Sequence, residues 1–207
     1  VKAECHITCT SSNAAQVVEA IAQEWNSDTV ILVPDQYLAK NVAAQTGIRV
    51  MTWPGACEVH ELFSADDVDQ LREAHPGVVI LAHPECPPDV LEAADFAGST
   101  SALANYVAEE SPNKVVLLTE CSMSDNVASA NPNVNFIRPC NLCPHMKRIT
   151  LENIYDCLVT GEYEVTIPED VRVRAKEALD AMMALPKMEK PLAFETGLKP
   201  MELEMVV

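Results

Sequence analysis

Basic residues are scarce in this chain: 14 Lys and Arg stand against 31 Asp and Glu in 207 residues, a formal net charge of −17. Phosphate backbones are gripped by clustered Lys and Arg, so a nucleic acid is excluded as the main partner, and the acidic surface serves solubility. Long apolar runs are also missing. Hydrophobic residues make up 48% of the chain, yet none of the runs approaches the roughly 20 residues of a bilayer span, which argues against a transmembrane helix. No basic stretch followed by an apolar one opens the chain, so a standard secretory signal is not read, and a cytoplasmic location is the expectation. A starting methionine is absent too. Val1 stands first, which leads to the expectation of a fragment, a processed chain or an incomplete reading frame.

What is present is a recurring pattern. Short β-rich runs alternate with longer helix-like stretches, the appearance of an α/β fold with parallel sheets. Strands are predicted near residues 5–9, 29–33, 49–53, 78–82, 114–119 and 133–137, and helices over 12–25, 88–94 and 100–110. Ala14, Val17, Val18 and Ile21 fall close to helical spacing, with Ser11 or Ser12 available as N-cap. The charge-rich stretch 64–73 reads as a solvated helix face. An internal repeat is suggested, because Thr10-Ser11-Ser12-Asn13-Ala14 resembles Gly98-Ser99-Thr100-Ser101-Ala102 and Val30 to Asp35 echoes Val115 to Glu120. The first block closes on Cys57 and the second on Cys140 and Cys143. Beyond Cys143 the pattern turns helical, over 150–158 and 168–185, the latter with proline at its first turn. Residues 186–207 contain Pro186, Pro191 and Pro200 with little periodicity and read as a mobile tail.

Two blocks carry chemistry. His83-Pro84-Glu85-Cys86 follows the continuous apolar run Gly77 to Ala82, which suits a strand buried on both faces, and Gly98-Ser99-Thr100-Ser101 opens a helix. Ligands of open α/β sheets bind outside the carboxyl ends of strands, and the first turn of a helix offers N–H groups to carboxylates or phosphates, so both blocks point to a small anionic ligand. The plainer reading makes His83 a core histidine, Glu85 a solvated carboxylate, and Ser11, Ser99 and Thr100 helix caps. Eight cysteines without a secretory signal read as thiols, metal ligands or redox groups before disulfides. Cys57, on the turn Trp53-Pro54-Gly55-Ala56-Cys57-Glu58-Val59-His60, is either a metal ligand or a packed thiol. Cys140-Asn141-Leu142-Cys143 suits zinc, an iron–sulfur cluster or a redox pair, with His145, Cys57, Cys121 or His60 as further zinc ligands. A second C-x-x-C at finger spacing is lacking. Alternation along 5–9 puts Cys5 and Cys9 on one face and His6 on the other, and these, with Cys86 and Cys157, read as packed residues.

With these blocks assembled, the chain resembles the quinolinate synthase family, iron–sulfur enzymes of NAD biosynthesis, from about Val1 to Leu185. The resemblance rests on Val1-Lys2-Ala3, Thr10-Ser11-Ser12-Asn13-Ala14, Val33-Pro34-Asp35, Trp53 to Glu61, His83 to Pro87, Gly98 to Ser101, and Cys143-Pro144-His145-Met146-Lys147 with Ile149 to Glu152. It implies three similar αβα domains about a pseudo-threefold axis, each giving one cysteine to a central [4Fe–4S] cluster whose open iron acts as a Lewis acid. On that match Cys57 and Cys143 are cluster ligands, Cys143 being preferred to Cys140 because x-x-Met-Lys follows it. The implied reaction condenses iminoaspartate, for which L-aspartate oxidase is the expected supplier, with dihydroxyacetone phosphate to give quinolinate. Ser11, Ser99 and Thr100 match substrate-binding positions, Glu85 one for proton transfer and His83 one for substrate hydrogen bonding.

The resemblance also divides the chain: 1–57 as a second-type domain, 58–143 as a third-type domain, 144–185 as helices that pack on a first domain, and 186–207 as tail. That first domain, with the third cluster cysteine, is not in this sequence, so the chain alone is expected to be inactive and its uncovered apolar surface to favour self-association. Two rivals are a zinc or redox module built on Cys140 and Cys143, and a small-anion-binding domain with inert cysteines.

Overall fold

A computed structural model describes residues 1–186, 193–197 and 203–205 and separates the chain into two compact units. The larger runs from Thr10 to Asn141 and takes in the described C-terminal residues; the smaller joins Val1–Cys9 to the chain from Leu142 to the end of the last helix.

In the larger unit α1 (Ala14–Glu24), β1 (Thr29–Leu32), α2 (Gln36–Thr46) and β2 (Arg49–Thr52) come first. There follow α3 (Ala65–Ala74), β3 (Val79–Ala82), α4 (Pro88–Ala93), β4 (Phe96–Gly98), α5 (Thr100–Glu110), β5 (Lys114–Leu118), α6 (Cys121–Ala130) and β6 (Asn135–Ile137). The smaller unit holds α7 (Leu151–Thr160) and α8 (Glu169–Ala184), and two short strands, β7 (Ala193–Phe194) and β8 (Glu204–Met205), return to the larger one. The expected parallel α/β fold is what the chain adopts. One sheet has the order β6-β5-β3-β4-β7, parallel except for β7, and the other has the order β1-β2-β8, parallel throughout.

The apolar runs explain the order of strands. β3 and β5 are the central pair, in register with Leu81 opposite Leu117, and Ile80, Leu81, Ala82 and Val115 to Leu118 are all buried, as continuous apolar strands must be when helices cover both faces. Leu103 and Val107 of α5, Val127 of α6 and Phe136 of β6 complete that core. The repeat is visible in the element order: α1-β1-α2-β2 recurs as α5-β5-α6-β6, and in each case the two strands are parallel neighbours. Start and stop signals set the helices. Asp35 caps α2 by accepting the Leu38 N–H at 2.7 Å, and Gly47 ends it at φ 68°, a left-handed conformation that glycine takes without strain. Ser64 and Asp67 form a reciprocal capping box on α3, so the acidic end of the charge-rich stretch is a helix start.

Four readings change. Residues 5–9 are not a strand: a 3-10 turn at Lys2–Glu4 leads into irregular chain, and the Thr8 N–H goes to the Ala178 carbonyl of α8 rather than to a ladder. The face assignment of Cys5, His6 and Cys9 falls with it. The cap of α1 is Asn13, not Ser11 or Ser12. Cys121 and Cys140 form a disulfide, so these eight cysteines are not all thiols. Of the stretch read as a tail, Ala193–Phe194 and Glu204–Met205 are strands; its remaining residues beyond Pro186, other than 195–197 and 203, lie outside the described ones.

In the smaller unit Arg174 of α8 ion-pairs with Glu4. A capping box of Thr150 and Asn153 starts α7, whose Leu151, Tyr155 and Leu158 are 82%, 64% and 81% exposed, too open to belong to a core of this unit. Among the described residues no helix is long and apolar enough to cross a membrane.

Candidate active and metal site

The His83-Pro84-Glu85-Cys86 segment leaves the carboxyl end of β3 and is held as a turn. The His83 N–H continues the ladder to the Leu118 carbonyl at 3.2 Å, and the Cys86 N–H closes back on the His83 carbonyl at 2.9 Å. Asn41 of α2, itself buried, donates through Nδ2 to the carbonyls of Pro84 at 2.8 Å and Cys86 at 3.2 Å. Glu85 Oε2 then lies 3.1 Å from His60 Nδ1 and 3.9 Å from His83 Nδ1. The second wall comes from the chain after β2. Asp35 and Gly55 bridge in parallel, and a Cβ on Gly55 would sit 2.8 Å from the Pro34 carbonyl oxygen, so only glycine allows this approach. Asp35 uses its other oxygen, Oδ2, to accept the Cys57 N–H at 3.0 Å. A 3-10 turn at His60–Leu62 follows, and the His60 ring is buried, with Nε2 2.9 Å from Thr119 Oγ1 and its plane stacked on His83 at 4.5 Å and 17°.

These groups polarise one another. Burial opposes a charge on His60, but the adjoining Cys57 thiol and Glu85 carboxylate outweigh it and lift its pKa to about 9. The neighbouring imidazole goes the other way: burial, then the charge of His60, pushes His83 down to about 4 and keeps it neutral. The Cys57 thiol is lowered, chiefly by His60, and is biased towards thiolate. Glu85, though burial raises it, is held below its ordinary range by the His60 contact and the histidine charges. Cys86 is different, since burial pushes its thiol far up and leaves it inert. Cys57 Sγ, a His60 ring nitrogen and a Glu85 oxygen all lie within 4.8 Å of one another, a donor set able to hold a metal ion.

The family model described as "Quinolinate synthetase A protein" matches residues 1–184. The chain belongs to that family. A "Quinolinate synthase" of Caulobacter vibrioides (strain NA1000 / CB15N) is 55% identical over 195 residues, which cover 94% of this chain and 53% of the relative. The corresponding protein of Agrobacterium fabrum is 56% identical over 185 residues, 89% of this chain and 52% of its own length, and "Quinolinate synthase 1" of Mesorhizobium japonicum is 57% identical over 183 residues, 88% and 55%. The chain thus spans about half the length of the curated relatives it matches.

The family match includes every residue singled out from the sequence as a site. Cys57, His83 and Glu85 come together in the larger unit, joined by His60, which the sequence offered only among further zinc ligands. Ala82 of β3 is opposite Ala97 of β4, so Ser99 and Thr100 leave the sheet at the same carboxyl end as His83. Ser99 is buried and caps α5 by accepting the Ala102 N–H at 3.3 Å, while Thr100 is exposed. Ser11 is half-buried in the turn before α1. Cys143 stands in the smaller unit, half-buried, its carbonyl accepting the Lys147 N–H. Sequence reasoning missed Asn41 and Thr119, and it quoted Asp35 without a role; the cap position ahead of α2 was the available signal for Asp35. Replacing Asp35 by alanine removes both the helix cap and the acceptor for Cys57, and is expected to lower stability by about 1–2 kcal/mol in urea unfolding.

Proposed function

We propose that this chain is the part of a quinolinate synthase that carries most of its reacting groups, acting in the condensation of iminoaspartate with dihydroxyacetone phosphate to quinolinate with loss of phosphate and water. The observation that carries the reading is the convergence of Cys57, His60, His83 and Glu85 beyond β3 in a chain about 55% identical to proteins of that name. L-aspartate oxidase is the proposed supplier of iminoaspartate.

A half-buried cysteine on a loop, with its thiol biased towards thiolate, fits the donor chemistry of an iron–sulfur cluster. Cys57 and Cys143 would hold a [4Fe–4S] cluster, with the third thiolate from the part of the family protein that this chain does not match. Such a cluster supplies a Lewis-acidic iron to a substrate oxygen or nitrogen. The protein groups do the rest. Glu85, kept ionised by His60, accepts a proton at Oε2. His83 faces the Glu85 N–H with Nδ1 at 3.4 Å, so its proton sits on Nε2, a neutral donor for a substrate oxygen. Ser11, Ser99 and Thr100 bind carboxylate or phosphate oxygens, Ser99 and Thr100 at the start of α5, where unpaired N–H groups favour anions.

The rival zinc or redox module is disfavoured because the Cys140 sulfur is bonded to Cys121 and is not available as a thiolate. Anaerobic reconstitution with iron and sulfide, alone and with the complementary half of a family protein, tests the proposal. Cluster and quinolinate only in the combined sample are expected, with product lost and iron retained in Glu85→Gln; stable zinc, or no metal, in both samples overturns it.

A further inference from the structure

β4 is short, and its two sides are paired over different residues. Towards β3 the ladder stops at Ala82 opposite Ala97, because β3 ends there and the His83 N–H turns to Leu118. Gly98, the last residue before Ser99 and Thr100, is paired on the other side alone, with Ala193 of β7, and Phe194 lies opposite Ala97. Phe194 is 3% exposed although its neighbours Ala193 and Glu195 are open to solvent, so one buried ring anchors a segment that lies beyond the family-model match. The same segment reaches α2. Gln45 Nε2 donates to the Glu195 carbonyl at 3.2 Å, one helical turn from Asn41, which holds the Pro84–Cys86 turn. Residues 193–195 therefore tie β4, which leads into Ser99 and Thr100, to the helix that steadies His83 and Glu85.

An anion at the start of α5 depends on where that turn is held. The Ser99 hydroxyl accepts the Ala102 N–H and the Ser99 carbonyl accepts the Leu103 N–H. The Thr100 and Ser101 N–H groups have no partner among the described residues and are left for a carboxylate or phosphate. Gly98 passes so near α5 that a Cβ on it would stand 2.8 Å from the Ala102 Cβ, so a shift of β4 is passed on to the first turn of the helix. We propose that Phe194 is a positioning residue for an anionic group of the substrate. Through the pairing of β7 with β4 it fixes the Gly98-Ser99-Thr100 turn relative to the His83–Glu85 side of the site. The inference rests on the functional reading above for the identity of the anion, and goes beyond it in giving the chain after α8 a part in substrate binding.

In the sample combined with the complementary half of a family protein, Phe194→Ala should raise the KM for one anionic substrate, dihydroxyacetone phosphate or iminoaspartate, about 10-fold, with kcat and the other KM within about twofold. Phe194→Leu, which refills the space with an apolar side chain, should restore most of that affinity. A segment that only stabilised the fold would cost active protein, lowering kcat with both KM values unmoved, and that result overturns the proposal. The full chain by itself gives a readout independent of the reaction. Hydrogen exchange at residues 98–101 should quicken about 10-fold in Phe194→Ala while β3 and β5 keep their protection. Unchanged exchange, or a rise spread through those two strands, overturns the proposal. If the unaltered combined sample forms no quinolinate, the functional reading fails by itself and inorganic phosphate decides the positioning. Slower exchange of Thr100 and Ser101 in phosphate, lost in Phe194→Ala, upholds it; no effect of phosphate on the unaltered chain overturns it.

Discussion

Asn41→Ala should destabilise the larger unit by about 2–4 kcal/mol, a large effect for one polar residue, because it removes the donor to two carbonyls that lie inside the protein. A buried acceptor left unpaired costs about 1–3 kcal/mol, and the Pro84 and Cys86 carbonyls would both be left so. The effect should reach the chemistry. Those carbonyls bracket Glu85, so freeing them lets the carboxylate drift from its 3.1 Å approach to His60. Iron uptake on reconstitution with the complementary half of a family protein should therefore fall even in conditions where the variant is fully folded by circular dichroism. Unchanged uptake alongside lowered stability would mean that the turn keeps its shape without Asn41.

Leu81→Ala is expected to cost about 2–5 kcal/mol, the range for emptying a fully enclosed leucine site. Leu81 lies at the middle of the five-stranded sheet, opposite Leu117, and packs in a cluster with Leu103 and Val107 of α5. Helices on one side and strands on the other leave little room for collapse. The urea midpoint should fall with the slope unchanged, as for a loss of packing without a change in the surface exposed on unfolding. In contrast to Asn41→Ala, the folded fraction should take up iron normally on reconstitution, since Leu81 packs in the sheet core with Leu103 and Val107. The pair of variants thus separates support of the sheet from support of the turn.

The legible parts of this protein were those written in adjacent residues. Continuous apolar runs announced β3 and β5, and His83 and Glu85 could be placed because they follow such a run directly. Cys57 was legible through the turn Trp53-Pro54-Gly55, where Gly55 meets the Pro34 carbonyl. Contacts distant in sequence left no trace. His60 and Thr119 are 59 residues apart, and a lone threonine after a strand carries no periodic signal. Asn41 is a polar residue in a helix, indistinguishable from a solvated one until α2 is seen against the Pro84–Cys86 turn. The Cys121–Cys140 pairing was beyond reach for a different reason, since connectivity among several cysteines is undetermined by spacing. Residues 5–9 misled because alternation imitates a strand even where a ladder partner is lacking.

The family match stops at residue 184, yet the five-stranded sheet does not. Its β4 margin is closed by Ala193–Phe194, which pairs antiparallel with Ala97 and Gly98 and sinks the Phe194 ring to 3% exposure. A truncation at the family-model boundary would strip that strand away and bare a row of unpaired backbone groups beside an apolar hole, an open invitation to edge-to-edge aggregation. The 195-residue match to the Caulobacter vibrioides protein runs past Phe194, so for this chain the boundary that closes the sheet is the one to cut beyond.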